Sequence, residues 1–352
     1  MGLRRLVRFG AMTRLREEAP EFTREKRSPL GPGEGRIIPV LSIGLCLLLL
    51  GSPAGAGPRR CGDDVDGRGR SIPCACGDVL VGSRTLGAKD PITREVCEGV
   101  GLLVQIPAGR PPATLALGGQ TIAGRACGVG IQVIDGGVDG LTISGPGTVE
   151  GFTTGILAQR GVAAIREVTA SGNTVDGISL GGVGYEVRAC EATRNGRDGF
   201  ALRGRGARLD GNRALQNGRH GFSIAGREAE LGAEFANEGL ANARDGLRVT
   251  GRGHMLAQPV ANENGGAGIR ARISHGRIER ARTDANGADG LRAAGTALAV
   301  ADSAARDNGA SGITVRGALV VDAGGNRAEG DHRQRHTRTL PGPECTVAVP
   351  CR

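Results

Sequence analysis

The feature that most constrains this chain is a repeat in which a glycine is followed by a large apolar residue every 22 or 25 residues. The glycines are Gly130, Gly155, Gly177, Gly199, Gly221, Gly246, Gly268, Gly290 and Gly312. An asparagine stands four residues before each of the last seven: Asn173, Asn195, Asn217, Asn242, Asn264, Asn286 and Asn308. Repetition at a fixed short period is the signature of a solenoid, so each repeat is expected to be one coil that stacks on the next.

The residues between the glycines favour short β-strands over helices. After Gly177, the apolar Ile178 and Leu180 flank the polar Ser179, which is the period-two alternation of a strand with one buried face. A helical repeat would instead need long glycine-free segments with a 3.6-residue period. A repeat of 22 residues accommodates three short strands and three turns. The sequence therefore predicts an all-β fold, a right-handed parallel β-helix (solenoid) of about eight 22-residue coils with N- and C-terminal caps.

Coils of a β-helix stack about 4.8 Å apart, so equivalent residues of successive repeats lie above one another. Phe200 is expected to stack on Phe222 inside the coils. The asparagine column predicts a hydrogen-bonded amide ladder at one turn, with each Asn in a left-handed turn backbone. The asparagines are thus predicted to serve the fold.

The N-terminal part of the sequence carries an export signal. Residues 37–50 form an apolar run ahead of Ala54-Gly55-Ala56, which is typical of a signal-peptide core and its cleavage site. The run is short for a bilayer span, so the mature chain is predicted to have no stable transmembrane segment and to be exported to the periplasm, the cell surface or the exterior. The predicted divisions are an N-terminal extension at 1–36, the signal segment at 37–56, an N-terminal cap at 57–101, the β-helix at 102–330 and a C-terminal tail at 331–352.

The cysteines also fit an exported chain. Eight follow the predicted cleavage site, and an even number in such a chain favours disulfides. Cys345 and Cys351 are predicted to form a local clasp in the tail, and Cys76 and Cys97 to close a hairpin over the first coil. A zinc site is disfavoured, because Cys74-x-Cys76 is not completed by a second cysteine pair or a histidine pair.

The charge of the chain indicates the chemistry of its partners. The formal net charge is +9, and the positive charge is almost wholly arginine because the only lysines are Lys26 and Lys89. A basic surface favours nucleic acid or acidic polysaccharide. With no Trp, one Tyr and six Phe, the chain lacks the stacking aromatics of a nucleic-acid groove. Acidic polysaccharide is therefore the expected partner and nucleic acid is not, while biased codon usage is an alternative source of the arginines.

Two further segments carry a family resemblance. Cys76-Gly77-Asp78-Val79 follows the signal, and the stretch 117–124 (LGGQTIAG) looks like the opening motif LxLNGHTIxG of one group. Together with the N-x-x-x-G-[ILF] coils, these segments resemble exported bacterial right-handed parallel β-helix repeat proteins of the pectate-lyase-like superfamily. The resemblance implies polysaccharide ligands, and it implies either lyases, hydrolases and epimerases or non-catalytic surface proteins. The Asp-Pro-His-Asp segment of epimerase relatives is absent from the sequence, and no Asp-Asp pair of the kind used by hydrolase relatives lies inside the coils.

One column of acidic residues is a candidate metal site. Asp176, Asp198, Asp245 and Asp289 each precede a repeating glycine. Asp176 and Asp198 are one coil apart, so their carboxylates are expected about 5 Å from each other, where they could bind Ca²⁺. The alternative is that Asp at this turn caps backbone N–H groups, and in that case no cofactor is expected. His254 and His275 lie on adjacent coils but lack a third ligand.

One row of arginines is a candidate ligand-binding surface. Arg248, Arg270 and Arg292 share an outward position in three successive coils, with Arg272 and Arg316 two residues further along their strands. Guanidinium groups bind carboxylates and sulfates in a bidentate manner, so the row suits an extended anionic glycan. The alternative is a solvated surface balanced by the aspartates beside it.

Three functions fit the sequence. The first is a non-catalytic exported scaffold that binds polysaccharide or serves as a cell-surface structural element. The second is a carbohydrate-active enzyme, either a Ca²⁺-assisted polysaccharide lyase with Asp176 and Asp198 near the metal or a glycoside hydrolase. The third is a phage-like or adhesion spike. The absence of a complete catalytic set favours the first, with no catalytic residues assigned.

Overall fold

The structure is a computed structural model that describes residues 58–137 and 140–331, together with the backbone of 345–348. Nearly all of its regular structure is β-strand, with one short 3₁₀ helix at Pro91–Thr93. The strands are β1 Arg60–Cys61, β2 Asp78–Leu80, β3 Arg84–Thr85, β4 Val96–Cys97, β5 Leu102–Gln105, β6 Thr114–Ala116, β7 Thr121–Gly124, β8 Val129–Asp135, β9 Leu141–Glu150, β10 Thr154–Ala158, β11 Val162–Ser171, β12 Ile178–Leu180, β13 Glu186–Arg188, β14 Glu191–Thr193, β15 Phe200–Arg205, β16 Arg208–Asp210, β17 Arg213–Leu215, β18 Phe222–Arg227, β19 Glu230–Leu231, β20 Glu238–Leu240, β21 Leu247–Arg252, β22 Met255–Ala257, β23 Val260–Asn262, β24 Ile269–Ser274, β25 Gly276–Glu279, β26 Arg282–Asp284, β27 Leu291–Ala294, β28 Leu298–Ala301, β29 Ala304–Arg306, β30 Ile313–Gly317, β31 Val321–Asp322, β32 Arg327–Glu329 and β33 Cys345–Ala348.

One strand of each coil belongs to a single long sheet, here called the first sheet. Its order is β1-β2-β5-β8-β10-β12-β15-β18-β21-β24-β27-β30-β33. Every pairing in it is parallel except the last, where β33 runs antiparallel to β30. All remaining strands form what is here called the second sheet, in which each strand pairs with its equivalent one coil later, as β13 does with β16. This is a parallel β-helix, and the predicted fold class is confirmed.

The number of coils differs from the prediction. Twelve parallel strands of the first sheet define about twelve turns, where the sequence predicted eight. The nine strands from β8 to β30 each begin at or beside one of the repeating glycines. The three strands before them, β1, β2 and β5, already pair in parallel at irregular spacing along the chain. The fixed repeat interval therefore does not detect the N-terminal turns, because their lengths vary. Their strands nevertheless stack in the same way.

The interior is a set of apolar columns that run through successive coils. Ile156, Ile178, Phe200, Phe222 and Leu247 are register partners in the first sheet, and all are fully buried. The rings of Phe200 and Phe222 stack as predicted, with centroids 4.7 Å apart. Because each coil repeats the same shape, residues of similar size fill each column and large aromatics are not needed.

The asparagines form a continuous ladder along one turn of the helix. From Asn195 onward, the Oδ1 of each Asn accepts hydrogen bonds from both the backbone N–H and the Nδ2 of the Asn one coil earlier, as Asn195 does from Asn173 at 3.1 and 2.9 Å, while Oδ1 of Asn173 accepts the N–H of Phe152. The ladder ends at Asp331, whose Oδ1 accepts both bonds from Asn308. The seven residues are Asn173, Asn195, Asn217, Asn242, Asn264, Asn286 and Asn308.

The left-handed backbone at this turn is not where the sequence suggested. It belongs to the residue before each asparagine, for example Arg194 at φ 54° and Gln216 at φ 55°. This residue forms the bend between two strands. The side chain of the following Asn then points inward and joins the ladder. A second pair, Asn212 and Asn237, makes the same amide contact at another turn.

Two disulfides close the N-terminal turns. Cys76 and Cys97 are bonded as predicted, and a second disulfide joins Cys61 to Cys74. Disulfides are typical of proteins in oxidising compartments outside the cytoplasm. The predicted signal segment lies outside the described residues, and so does the side-chain clasp of Cys345 and Cys351. In the part of the chain that the structure describes, no helix is long and apolar enough to cross a membrane.

Candidate functional site

The predicted arginine row lies on the outer surface of the first sheet. Arg248, Arg270 and Arg292 are register partners on β21, β24 and β27. Two residues further along these strands, Arg272 and Arg316 share a column but are separated by Ala294. Arg248, Arg272, Arg292 and Arg316 are exposed and Arg270 is half-buried. The structure therefore brings all five predicted residues onto one surface.

The same surface carries arginines that the sequence reasoning missed. Arg205, Arg227 and Arg252 form a second row on β15, β18 and β21, with Arg203 beside them. They lie at a constant offset of six residues from Gly199, Gly221 and Gly246, and this spacing could have revealed them. The arginine face is defined here as Arg203, Arg205, Arg227, Arg248, Arg252, Arg270, Arg272, Arg292 and Arg316.

The arginine face is unbalanced in charge. The strands of the first sheet from β15 to β30 contain no Asp or Glu. Ion pairs with acidic residues outside those strands involve Arg205, Arg270 and Arg292. The other six members of the face form no ion pair within the described residues.

The second sheet differs from this face, because most of its strand arginines are neutralised. The ion-paired ones are Arg84, Arg166, Arg188, Arg208, Arg213, Arg277 and Arg306. Within its described strands only Arg282 and Arg327 have no acidic partner. Among the strand arginines of the described residues, those without an acidic partner are thus concentrated on the first sheet.

The aspartate column caps backbone groups of the following coil. Asp176 Oδ1 accepts the N–H of Asp198 at 3.2 Å, and Asp198 Oδ1 accepts the N–H of His220 at 3.2 Å. Asp245 and Asp289 accept the equivalent N–H groups of Ala267 and Ser311 in the same way. Each carboxylate therefore has a role in holding two coils together.

Arginines also contact these carboxylates. Asp198 binds the guanidinium of Arg219 through both of its oxygens, at 2.7 Å to Nε and closer at Nη2. Asp245 accepts from Nε of Arg270 at 2.9 Å. Burial raises the pKa of Asp176, whose nearest cation, Arg197, is 3.9 Å away.

The donor set at Asp176 and Asp198 is poor for calcium. Ca²⁺ takes six to eight oxygen ligands, whereas both oxygens of Asp198 are already paired with Arg219. Within the described residues, no group of three or more His, Cys, Asp or Glu side chains could hold a metal ion. A metal at this pair stays a prediction, and it would require Arg219 to release the carboxylate.

The two histidines noted in the sequence do not form a pair. His254 is fully buried, where its Nδ1 accepts the N–H of Ala229 at 3.1 Å and its Nε2 lies 3.1 Å from the carbonyl oxygen of Thr250. His275 is exposed and takes a left-handed backbone at φ 55°. His254 therefore serves the packing between coils.

A third histidine, His220, lies beside the arginine row in a cleft of about 330 Å³. It occupies the position that Asp198 and Asp245 hold in the neighbouring coils. The cleft is also lined by Arg244, Arg248, Arg270 and Arg272. Four arginines and one aspartate make this cleft strongly favourable for an anion.

Known proteins resemble this chain in their three-dimensional structure, whereas comparisons of sequence give no match. No protein-family model matches the sequence, and no curated protein matches it significantly. The A-module of mannuronan C-5 epimerase AlgE4 from Azotobacter vinelandii is 14% identical at a TM-score of 0.42, covering 78% of this chain and 82% of its own. The periplasmic alginate epimerase AlgG is 12% identical at a TM-score of 0.41, covering 74% of each chain. The Dettilon tailspike protein gp208 is 12% identical at a TM-score of 0.40, covering 72% of this chain and 59% of its own.

Similarities this small carry no argument about ligand or activity. What the chain is follows from its own strand pairing, in which coil after coil stacks in parallel register. Parallel strands joined by a crossover connection adopt the right-handed form almost without exception. The protein is a right-handed parallel β-helix, as its repeat predicted.

Proposed function

We propose that this protein is an exported, non-catalytic β-helix that binds acidic polysaccharide on its arginine face. The observation that carries the proposal is the contrast between the two sheets. Strand arginines are mostly ion-paired on the second sheet, whereas six of the nine members of the arginine face have no acidic partner within the described residues. Biased codon usage would add arginines to both sheets, but it would not remove Asp and Glu from the first-sheet strands β15 to β30.

The geometry of the face suits a long polyanion. Adjacent parallel strands lie about 4.8 Å apart, so Arg248, Arg270 and Arg292 present a guanidinium at each step along the helix axis. A guanidinium binds a carboxylate or sulfate through two parallel hydrogen bonds. An extended acidic chain can contact several of these groups at once, and the linked contacts raise the overall affinity well above that of one pair.

The test compares two triple variants with equal loss of charge. One replaces Arg248, Arg270 and Arg292 with Gln. The control replaces Arg194, Arg282 and Arg327, which are exposed, lie off the first sheet and form no ion pair within the described part of the chain. Binding to polygalacturonate, heparin, dextran and single-stranded DNA is measured at low and physiological salt.

We expect the row variant to lose about tenfold or more in affinity for an acidic glycan, and the control to lose less than twofold. Binding should weaken with salt because the face is exposed. Equal losses in both variants would show that only net charge matters and would contradict the proposal, as would equal binding to DNA. Release of unsaturated uronate ends in the presence of Ca²⁺ would support the lyase alternative instead.

A further inference from the structure

His220 lies between two aspartates of the aspartate column, and unlike them its side chain can donate a hydrogen bond. Asp198 precedes it and Asp245 follows it at the same turn of neighbouring coils. Its side chain is only 3% exposed, yet it lines the cleft beside Arg248. The adjacent coils have aspartate at this position, so His220 replaces a carboxylate with a neutral or cationic ring at the wall of the cleft.

The hydrogen bonds fix which nitrogen of His220 carries the proton. The backbone N–H of Asp245 donates to Nδ1 at 3.2 Å, a shorter contact than the 3.5 Å between Nδ1 and Oδ2 of Asp245, so the geometry favours a lone pair on Nδ1. Burial lowers the pKa of His220 and outweighs the nearby carboxylates of Asp245 and Asp198, while Arg219 and Arg248 act in the same direction as burial. The ring is therefore neutral at pH 7, and its proton is on Nε2.

This assignment leaves two donors facing each other. Nη1 of Arg248 lies 3.5 Å from Nε2 of His220, and a guanidinium nitrogen has no lone pair to offer. Within the described residues no acceptor is hydrogen-bonded to Nε2. The buried His220 ring and the exposed guanidinium of Arg248 thus direct N–H groups toward the same part of the cleft, where a single anion could accept from both.

We propose that the cleft is an oxyanion subsite, where one carboxylate or sulfate group accepts hydrogen bonds from His220 Nε2–H and from the Arg248 guanidinium. Arg272 adds a further positive charge at the wall of the cleft, and Arg270 is already bound to Asp245. The inference rests on the proposed function, because it identifies the place on the arginine face where a single charged group of the glycan is held most closely.

The most informative variant is His220→Asp. Aspartate is the residue of the adjacent coils, and its carboxylate can accept the N–H of Asp245 as Asp198 accepts that of His220. The substitution thus preserves the contact between coils while it replaces the Nε2–H donor with an acceptor. Arg248→Gln removes the second donor at an exposed position that the fold does not need. Arg282→Gln, at an exposed position on the second sheet and with no ion pair within the described residues, is the matched control.

The probes are galacturonate and a sulfated monosaccharide, each titrated alone. Calorimetry measures affinity, and nitrogen-15 NMR of histidine follows the Nε2 proton. We expect either sugar to shift the Nε2 signal in the native protein. We also expect His220→Asp and Arg248→Gln each to weaken binding about tenfold or more, which is typical of losing a hydrogen bond to a charged group. Arg282→Gln should bind normally, and the sugar that binds more tightly identifies the anion.

Failure of the subsite can be told apart from failure of the polymer proposal. If His220→Asp and Arg248→Gln bind the monosaccharides as the native protein does, the subsite is wrong, even where the arginine-row variant still loses polygalacturonate. An unchanged Nε2 signal at saturating sugar would reject it equally. Tight monosaccharide binding that both variants abolish, without any polymer binding, would support the subsite and reject the polysaccharide role.

Discussion

Replacing Asn217 with alanine tests whether the amide ladder holds the coils together. Its Oδ1 accepts the backbone N–H and the Nδ2 of Asn195, both at 3.0 Å. Its Nδ2 donates to the carbonyl of Ala192 and to Oδ1 of Asn242, again at 3.0 Å. The side chain is almost completely buried, so bulk solvent cannot reach these four hydrogen bonds to replace them.

The expected loss follows from these contacts. The backbone N–H of Asn195 would be left without an acceptor in the interior, which costs about 1–3 kcal/mol. The three remaining bonds contribute about 1 kcal/mol each. Nδ2 of Asn195 keeps its hydrogen bond to the carbonyl of Ala170, and Oδ1 of Asn242 keeps the bond from the N–H of residue 217. Because each of these two groups retains one hydrogen bond, we take the lower end of the range for the total loss. The free energy of unfolding should fall by about 4 kcal/mol.

Urea denaturation followed by circular dichroism measures this loss against the control Asn262→Ala. The Oδ1 of Asn262 lies outside the ladder and accepts one bond, from the N–H of Asp284 at 2.9 Å, so the control should cost about 1 kcal/mol. The reasoning is refuted if Asn217→Ala lowers the free energy of unfolding no more than the control does. That result would mean that water or backbone shifts satisfy the ladder partners at little cost.

Two further outcomes can be predicted. Gly226→Ala should destabilise the fold by about 2 kcal/mol or more on thermal denaturation, because φ is +142° and the new Cβ would overlap the carbonyl oxygen of Gly204. Gly99→Ala should be nearly neutral, because a Cβ at this position would meet nothing within 4 Å, and equal effects would contradict the argument. Burial lowers the pKa of His254, so as pH falls below about 6.5 the unfolded chain takes up a proton that the folded chain resists. The urea midpoint should therefore drop from pH 8 to pH 5.5 and drop less in His254→Asn; an identical drop in both proteins would assign the effect elsewhere.

The β-helix could be predicted from sequence because most coils have the same number of residues. Residues separated by one coil length in the sequence therefore lie above one another in the structure. Arg248, Arg270 and Arg292 are in register for this reason alone, and counting residues was enough to place them. The same counting failed before Gly130. There the disulfide-bonded turns vary in length, so no fixed interval marks them although their strands still pair in parallel.

What the sequence could not give is the direction of side-chain hydrogen bonds at a turn. The aspartate column was visible, and backbone capping was one of its two interpretations, but the arginines that also bind Asp198 and Asp245 depend on which way each turn faces. His220 stands in that column and was passed over because it breaks the pattern. Its tautomer and its approach to Arg248 follow only from the packing of three coils.

The exchange of Asp for His at position 220 also explains why the charge of Arg248 is available. Arg270 stands one coil after Asp245 in the same relation as Arg248 stands to His220, and there the arginine binds the carboxylate at 2.9 Å. Had residue 220 been aspartate, Arg248 would be expected to pair with it and lose its attraction for an external anion. The neutral ring leaves the guanidinium uncompensated and adds an N–H beside it. Histidine in place of aspartate at position 220 thus removes the carboxylate that would pair with Arg248. The guanidinium of Arg248 is then available to bind an external anion.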